Sequence, residues 1–270
     1  MNRRGLKAAA KQCVADAKGP LIKVSLIYVI LSLVIVGIDV ATTLLSEKTG
    51  TSSHISDSLS LAVSTYVTVY GLSLVLQAVA VLLQAGYTVF ALRLSRNEEF
   101  DIKVLFSGCR DWLRVICFYI LRTVYTALWS LVYAIPMGIV ITPLAFPLAE
   151  GTLSQEVFMG IVLLLAIIPS VLVALRYWGG FYVLMDHPEM TSSMALAYTK
   201  ALCKHHRWEL FKLEMSLLPT MLLCVITLGI LMIWKLPYIE ATRAHAYHYL
   251  SMCYEQRVRF YQPPQAPDYE

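Results

Sequence analysis

Long apolar runs with few charges restrict this chain more than any other feature of its sequence. Five runs exceed the roughly 20 residues that a helix needs to cross a hydrocarbon core about 30 Å thick. They are Val24–Leu45, Leu61–Leu92, Val115–Leu148, Val157–Met185 and Phe211–Trp234. Hydrophobic residues make up 58% of the chain and charged residues 15%, whereas a soluble domain has about 45–50% and about 25%. The runs therefore predict an all-α, polytopic membrane protein.

Basic residues occur on alternate connections between these runs. Residues 1–20, 93–114 and 186–213 contain fourteen Lys and Arg residues, whereas the connections 46–60 and 149–156 contain only Lys48. Positively charged connections stay in the cytoplasm, so we predict a multi-pass plasma-membrane protein with a cytoplasmic N-terminus. A cleaved signal peptide also begins with a basic segment, but this apolar run is longer than the core of such a peptide and no clear A-x-A site follows it. We therefore favour an uncleaved first span.

The last apolar run leaves the number of transmembrane helices open at five or six. Five crossings from a cytoplasmic N-terminus put residues 236–270 outside, although this segment contains three arginines. Alternatively, Gly229 divides the run into a fifth span and a polar sixth span, Ile230–Leu250. In that case three charged residues cross inside a helix bundle, because lipid would penalise them: Lys235, Glu240 and Arg243.

Two polar segments have the spacing of amphipathic surface helices. In the basic segment 1–20 the apolar positions are Leu6, Ala10, Val14 and Ala17. In the connection after Pro188 they are Met194, Ala197, Tyr198, Ala201 and Leu202, with Thr191, Ser192 or Ser193 as the N-cap. We expect both helices to lie on the inner membrane surface, and the N-terminal one, with its five basic residues, to favour anionic lipids. Docking of the second helix on a cytoplasmic protein partner is the alternative.

The domain organisation follows from these segments. Residues 1–20 form a cytoplasmic amphipathic basic segment, residues 21–250 form the helical transmembrane domain, and residues 251–270 form a C-terminal tail. The end of the tail, Gln262–Pro267, is rich in proline and is predicted to be disordered. The net charge of +4 is too small to indicate binding of nucleic acid.

An ordered series of short motifs runs through residues 86–250. The motifs are Gly86-Tyr87, Arg96-Asn97-Glu98, Leu105-Phe106-Ser107-Gly108, Trp129, Ile168-Pro169, Tyr177, Asp186-His187-Pro188-Glu189, Ala197, Leu210-Phe211, Thr227-Leu228-Gly229-Ile230, Trp234, Pro237-Tyr238 and Tyr247. In this series the chain resembles the DUF975 family of bacterial integral membrane proteins. The resemblance implies a multi-helix fold in a bacterial plasma membrane and implies no reaction, because the function of the family is unassigned.

Two arginines within the predicted spans are the most informative candidate site. Arg122 follows Arg114 by eight residues and Arg176 precedes Asp186 by ten residues, which places each about 12–15 Å from the cytoplasmic end of its span. At a common depth the two guanidinium groups could face each other and bind an oxyanion of a lipid phosphate or an acidic solute. The alternative is that each extends to the headgroups or pairs with a carboxylate such as Glu214.

Other polar residues favour less specific interpretations. Asp39, near the outer end of the first span, would belong to an ion pathway or, more commonly, be solvated at the interface. His245 and His248 are one helical turn apart with Glu240 nearby, but no further ligand accompanies them. The pair His205-His206 is flanked by Lys204 and Arg207, whose positive charges disfavour a cation. We therefore predict no metal site.

Signatures of catalysis and of cofactor binding are absent from the sequence. It contains no G-x-S-x-G, no H-E-x-x-H, no P-loop and no dinucleotide-binding fingerprint. We therefore predict a protein that is not an enzyme and has no cofactor: a membrane module that binds lipid or a protein partner. The alternative is a small transporter or channel component in which Arg122 and Arg176 attract an anion. The two Ile-Pro elements suggest broken helices for such a protein, but no internal repeat supports it.

Overall fold

The part of the chain that its structure describes is mostly helical. This structure, a computed structural model, describes residues 2–50, 58–149, 157, 170–227 and 229–261, and these ranges contain no β-strand. The helices are α1 (Arg3–Asp16), α2 (Lys18–Gly50), α3 (Ser58–Ser95), the 3-10 helix η1 (Ile102–Cys109), α4 (Trp112–Ala149), α5 (Gly180–Asp186), α6 (Ser192–Cys203), α7 (Arg207–Ile226) and α8 (Met232–Tyr261). Residues 170–176 are also helical.

Three of these helices are long and apolar enough to cross a membrane. The candidate spans are Leu21–Leu44 in α2, Val67–Ser95 in α3 and Trp112–Tyr133 in α4. They correspond to the first three spans predicted from the sequence. Part of the predicted fourth span, residues 158–169, lies outside the described residues, as does the proline-rich end of the tail. A membrane protein is therefore supported, whereas five or six crossings are not established.

The helical structure is interrupted around Gly229, as the six-span alternative predicts. Helix α7 ends at Ile226 and α8 begins at Met232. Between them Gly229 has φ +83°, a left-handed conformation that glycine adopts without steric cost. In contrast, α4 continues through the Ile135-Pro136 element, so this proline does not break the helix as the pattern suggested. The second element, Ile168-Pro169, lies outside the described residues.

The chain divides into two compact units. The first unit contains residues 2–116 and 217–246, and the second contains residues 117–216 and 247–261, with the undescribed residues left out. Helices α4, α7 and α8 each contribute residues to both. We describe each unit by itself.

In the first unit, the C-terminal half of α3 packs against η1 at backbone distance. A side-chain Cβ at Gly86 would overlap the carbonyl oxygen of Leu105, and one at Gly108 would overlap that of Leu82. Glycine is therefore required at both positions for this contact. Tyr87 and Phe90 of α3 are buried beside it, and the hydroxyls of Tyr87 and Ser25 share a hydrogen bond of 3.2 Å.

The N-terminal half of α3 contrasts with this packed half. Val67 and Leu74 are 68% and 72% exposed, whereas Phe90 is fully buried. Large aliphatic side chains exposed along a helix of this length are what a lipid-facing span requires. One helix thus changes from an exposed apolar half, compatible with a lipid-facing span, to a core element within the first unit.

Helix α1 uses its apolar face inside the protein. Ala10 and Cys13 are buried in a cluster with residues of α2, α3, η1 and α8, and Val14 and Ala17 pack against it. The sequence predicted the face of Ala10, Val14 and Ala17 but assigned it to the membrane surface, whereas protein covers it. The opposite side keeps Arg3, Arg4 and Lys11 exposed, and its preference for anionic lipid stays a prediction.

In the second unit, aromatic side chains fill the space around α5. Phe118 of α4 meets Phe181 edge-on at 5.5 Å between ring centroids, and Tyr182 stacks on Tyr247 at 5.8 Å. The hydroxyl of the fully buried Tyr247 donates a hydrogen bond of 2.9 Å to Asp186 Oδ2. The end of α5 is therefore held by a hydrogen bond to α8.

Helix α6 begins where the sequence predicts a cap. The Oγ1 of Thr191 accepts a hydrogen bond of 3.5 Å from the backbone N–H of Met194, which satisfies one free donor of the first turn. The buried side of α6 contains Ala195, Leu196, Thr199, Leu202 and Cys203. Of the predicted apolar set only Leu202 is among them, since Met194 and Ala197 are exposed.

Candidate functional site

The second unit contains a cavity between α4, the segment around residue 176, and α6. Its volume is about 320 Å³, and the residues that line it are Leu121, Tyr125, Trp129, Arg176, Tyr177, Ser193, Leu196, Ala197 and Lys200. We call it the Arg176 cavity. It combines an aliphatic and aromatic wall with two cationic side chains.

Helical periodicity explains why these residues face one space. On α4 the lining residues are four apart, at positions 121, 125 and 129, and on α6 they lie at positions 193, 196, 197 and 200. Residues three, four and seven apart share one face of an α-helix. The cavity is therefore bounded by one face of a candidate span and one face of the connecting helix.

The Arg176 guanidinium is held against an aromatic ring. Its Cζ lies 4.0 Å from the centre of the Trp129 ring, well within the distance at which a cation is attracted to an aromatic face. Its buried Nε has no hydrogen-bond partner among the described residues. A guanidinium carries several N–H donors, which suit an oxyanion as the ligand.

The charged side chains among the described lining residues are all positive. Lys200 is the second cation, and none of the nine is a carboxylate. Outside this lining, past the end of α6, the charge of Arg257, with smaller contributions from burial, Lys204 and His206, lowers the pKa of the exposed His205 imidazole. An anion is the ligand that this electrostatic environment favours.

Arg122 lies on a neighbouring face of α4. Its Cζ is 5.7 Å from the centre of the Phe181 ring, and it is not among the described residues that line the Arg176 cavity. Successive residues of an α-helix point about 100° apart, since a turn contains about 3.6 residues. Leu121 therefore faces the cavity while Arg122 faces Phe181. Whether both arginines act on one anion stays a prediction.

The other candidates from the sequence have protein partners. Ser73 Oγ donates a hydrogen bond of 2.6 Å to Asp39 Oδ1, so this carboxylate joins α2 to α3. Arg243 donates to Glu240 Oε1 at 2.8 Å, and His245 Nε2 lies 3.6 Å from Cys13 Sγ. Trp178 Nε1 donates to Glu214 Oε1 at 2.7 Å, the carboxylate that the sequence offered to the arginines. Within the described residues, no group of three His, Cys, Asp or Glu residues could hold a metal ion.

Comparison with known proteins adds a family to this geometry. The family model DUF975, a protein of unknown function, matches residues 1–253. The chain belongs to the DUF975 family. The match extends beyond residues 86–250, where the motifs of this DUF975 protein lie, to its first residue. No curated protein and no solved structure matches it.

Sequence reasoning identified Arg176 but missed its partners. Lys200 was counted only as one of the basic residues that set the orientation, and Trp129 only as one of the motif residues that carry the resemblance. The helical spacing of Ser193, Ala197 and Lys200 was a signal for a shared face. The arrangement of α4 beside α6 in this DUF975 protein, which the sequence does not reveal, makes that face part of a cavity.

Proposed function

We propose that this DUF975 protein is a non-enzymatic membrane module that binds an anionic lipid of a bacterial plasma membrane in the Arg176 cavity. One observation carries the proposal: the cavity sets Arg176 and Lys200 beside a helix that is apolar and long enough to span the membrane. A lipid needs both features, a cationic site for its headgroup and an apolar surface for its acyl chains.

The surface beside the cavity favours a lipid over a water-soluble anion. Val124 and Leu128 of α4 are 49% and 52% exposed, and they lie within the candidate span between the lining residues Leu121 and Trp129. Acyl chains that follow this surface contribute about 0.8 kcal/mol for each buried CH₂ group. A soluble anion gains nothing from it.

The orientation of the chain determines the leaflet. If the N-terminus is cytoplasmic, as the basic residues predict, α6 lies in an inner connection. The headgroup then comes from the inner leaflet, whose anionic lipids attract nearby Lys and Arg residues. A probe of the cytoplasmic side at a residue such as Lys204 measures this orientation independently of lipid binding.

Native mass spectrometry of the purified chain tests the proposal. We expect the wild type, reconstituted with phosphatidylcholine and phosphatidylglycerol, to retain phosphatidylglycerol when the surrounding lipid is removed. The double variant Arg176→Gln/Lys200→Gln should retain several-fold less, because both cationic groups are lost. Lys204→Gln is the matched control, since Lys204 is exposed at the end of α6 and is not among the lining residues.

A flux measurement separates this function from the second candidate, a small transporter or channel component. Liposomes that contain the protein should show no more anion flux than empty liposomes. Flux that disappears in Arg176→Gln would instead support the transporter. Retention of phosphatidylglycerol that is equal in the wild type and the double variant would contradict lipid binding at the Arg176 cavity.

A further inference from the structure

The two cations of the Arg176 cavity differ in how they are held. Arg176 is positioned by the Trp129 ring at 4.0 Å, whereas Lys200 is exposed on the lining face of α6. A planar guanidinium donates to two oxygens of one phosphate, and an ammonium neutralises a further oxygen as a point charge. The pair therefore offers two positive charges to one headgroup.

We infer that the Arg176 cavity selects a phosphomonoester headgroup, as in phosphatidate, over the phosphodiester of phosphatidylglycerol. The inference rests on the proposed function and specifies its ligand. A phosphomonoester carries about −1.5 to −2 at neutral pH and can neutralise both cations. A phosphodiester carries one negative charge, so it neutralises only one of the two cations.

Ser193 provides a further group that suits a terminal phosphate. It lines the cavity in the first turn of α6, after the Thr191 cap. The partial positive charge of a helix N-terminus favours a second negative charge on the ligand. The hydroxyl of Ser193 can donate to the terminal oxygen of a phosphomonoester, which is charged. In a phosphodiester the corresponding oxygen is esterified and carries no charge.

The preference has a pH dependence of its own. The second ionisation of a phosphomonoester has a pKa of about 6. The monoester therefore largely loses its second negative charge at lower pH. The titratable groups that face the ligand are Arg176 and Lys200 with Tyr125 and Tyr177. Histidine is the side chain whose charge ordinarily changes between about pH 5 and 8, and none of the described lining residues is a histidine. A change in this interval therefore reports the ligand.

Competition in phosphatidylcholine nanodiscs tests the inference. The full chain is reconstituted with equal small fractions of phosphatidate and phosphatidylglycerol, and the lipids that it retains are measured by native mass spectrometry. At about pH 7.5, where the monoester carries its second charge, we expect phosphatidate to be favoured about tenfold, which corresponds to about 1.4 kcal/mol. At about pH 5, where that charge is lost, the preference should fall toward equality.

Two variants identify the groups that select the ligand. Lys200→Gln should bring the two lipids to near equality at neutral pH, and Arg176→Gln should lower the retention of both. Lys204→Gln should keep the preference and serves as the control. If Arg176→Gln does not fold, Lys200→Gln still decides, because its side chain is exposed and its loss leaves the packing in place.

The outcomes separate this inference from the proposed function. Equal retention of phosphatidate and phosphatidylglycerol in the wild type, both above phosphatidylcholine, would overturn the inference and leave the proposed function standing. Retention of neither lipid above phosphatidylcholine would overturn both. A further arm adds inorganic phosphate to nanodiscs with retained phosphatidate. Displacement of the lipid would assign the cavity to a soluble phosphate and overturn its assignment to a lipid.

Discussion

The two units of the protein differ in how closely their helices approach. In the first unit α3 and η1 meet at backbone distance through Gly86 and Gly108. In the second unit α4 and α6 leave a cavity of about 320 Å³ that contains Arg176 and Lys200. This cavity is open to solvent, since Ser193 and Lys200 on its lining are exposed, so a ligand can enter it. The first contact explains stability, and the second is where a ligand is expected.

The largest effect is expected where the first unit is most closely packed. Gly86→Ala places a Cβ onto the Leu105 carbonyl, and this backbone can move only if η1 separates from α3. We expect a loss of about 3 kcal/mol or more in the free energy of unfolding, at the upper end for overpacked sites. Denaturation of the purified protein in detergent, followed by tryptophan fluorescence, measures it.

Two other glycines calibrate this result. Gly71 lies in the exposed half of the same helix and a Cβ there meets no atom within 4 Å, so Gly71→Ala should be neutral or stabilise the protein by up to about 1 kcal/mol. In the second unit, a Cβ at Gly180 would lie 2.6 Å from Cζ of Phe118, a side-chain atom instead of a backbone atom. Gly180→Ala should therefore cost about 1–3 kcal/mol. A loss at Gly86 no larger than at Gly71 would contradict the close approach of η1.

The sequence predicted the features that depend on neighbouring residues along the chain. The length of apolar runs identified α2, α3 and α4. The break at Gly229 before α8 was one of two alternatives for the last run, and Thr191 was one of three residues offered as the cap of α6. Each of these depends on local physics, either the length needed to cross a bilayer or the backbone preference of one residue.

Features that depend on distant parts of the chain were not predicted from the residues. The motif residues Gly86 and Gly108 supported a resemblance, but their role appears only when η1 lies on α3. Likewise Asp186 and Tyr247, which are far apart in sequence, form a hydrogen bond of 2.9 Å. The presence of Arg176 and Lys200 in one cavity also depends on tertiary structure, since it requires the position of α6.

The same substitution at two buried tyrosines compares the polar contacts of the units. Tyr247→Phe removes a hydrogen bond to the Asp186 carboxylate, and bonds to charged groups contribute about 1.5–3 kcal/mol. Tyr87→Phe removes a bond to the Ser25 hydroxyl, for which about 0.5–1.5 kcal/mol is expected. Urea denaturation of both variants should show the larger loss for Tyr247→Phe. The reverse order would mean that Asp186 is well satisfied without the tyrosine.

An effect that depends on pH is expected at a buried thiol of the second unit. Burial raises the pKa of Cys203 to about 11 from its ordinary value of 9.0, and burial also raises the pKa of Cys13 in the first unit. A thiol with a raised pKa holds its proton more tightly in the folded chain. Its contribution to stability is therefore complete below the unfolded value and is lost as the pH rises through the folded one.

The wild type and Cys203→Ala should consequently differ most below about pH 9, and the difference should shrink as the pH approaches about 11. Urea denaturation at a series of pH values measures the free energy of unfolding of both proteins. Subtracting one value from the other cancels the contributions of the tyrosines and lysines that both proteins share. Cys13→Ala is the matched variant in the first unit. Its difference in stability from the wild type should also shrink as the pH rises. A difference for Cys203 that stays constant would mean that water reaches the thiol and that α6 packs less tightly against its neighbours. In that case Leu202 and Cys203 would be accessible to water and would not belong to the buried core of the second unit.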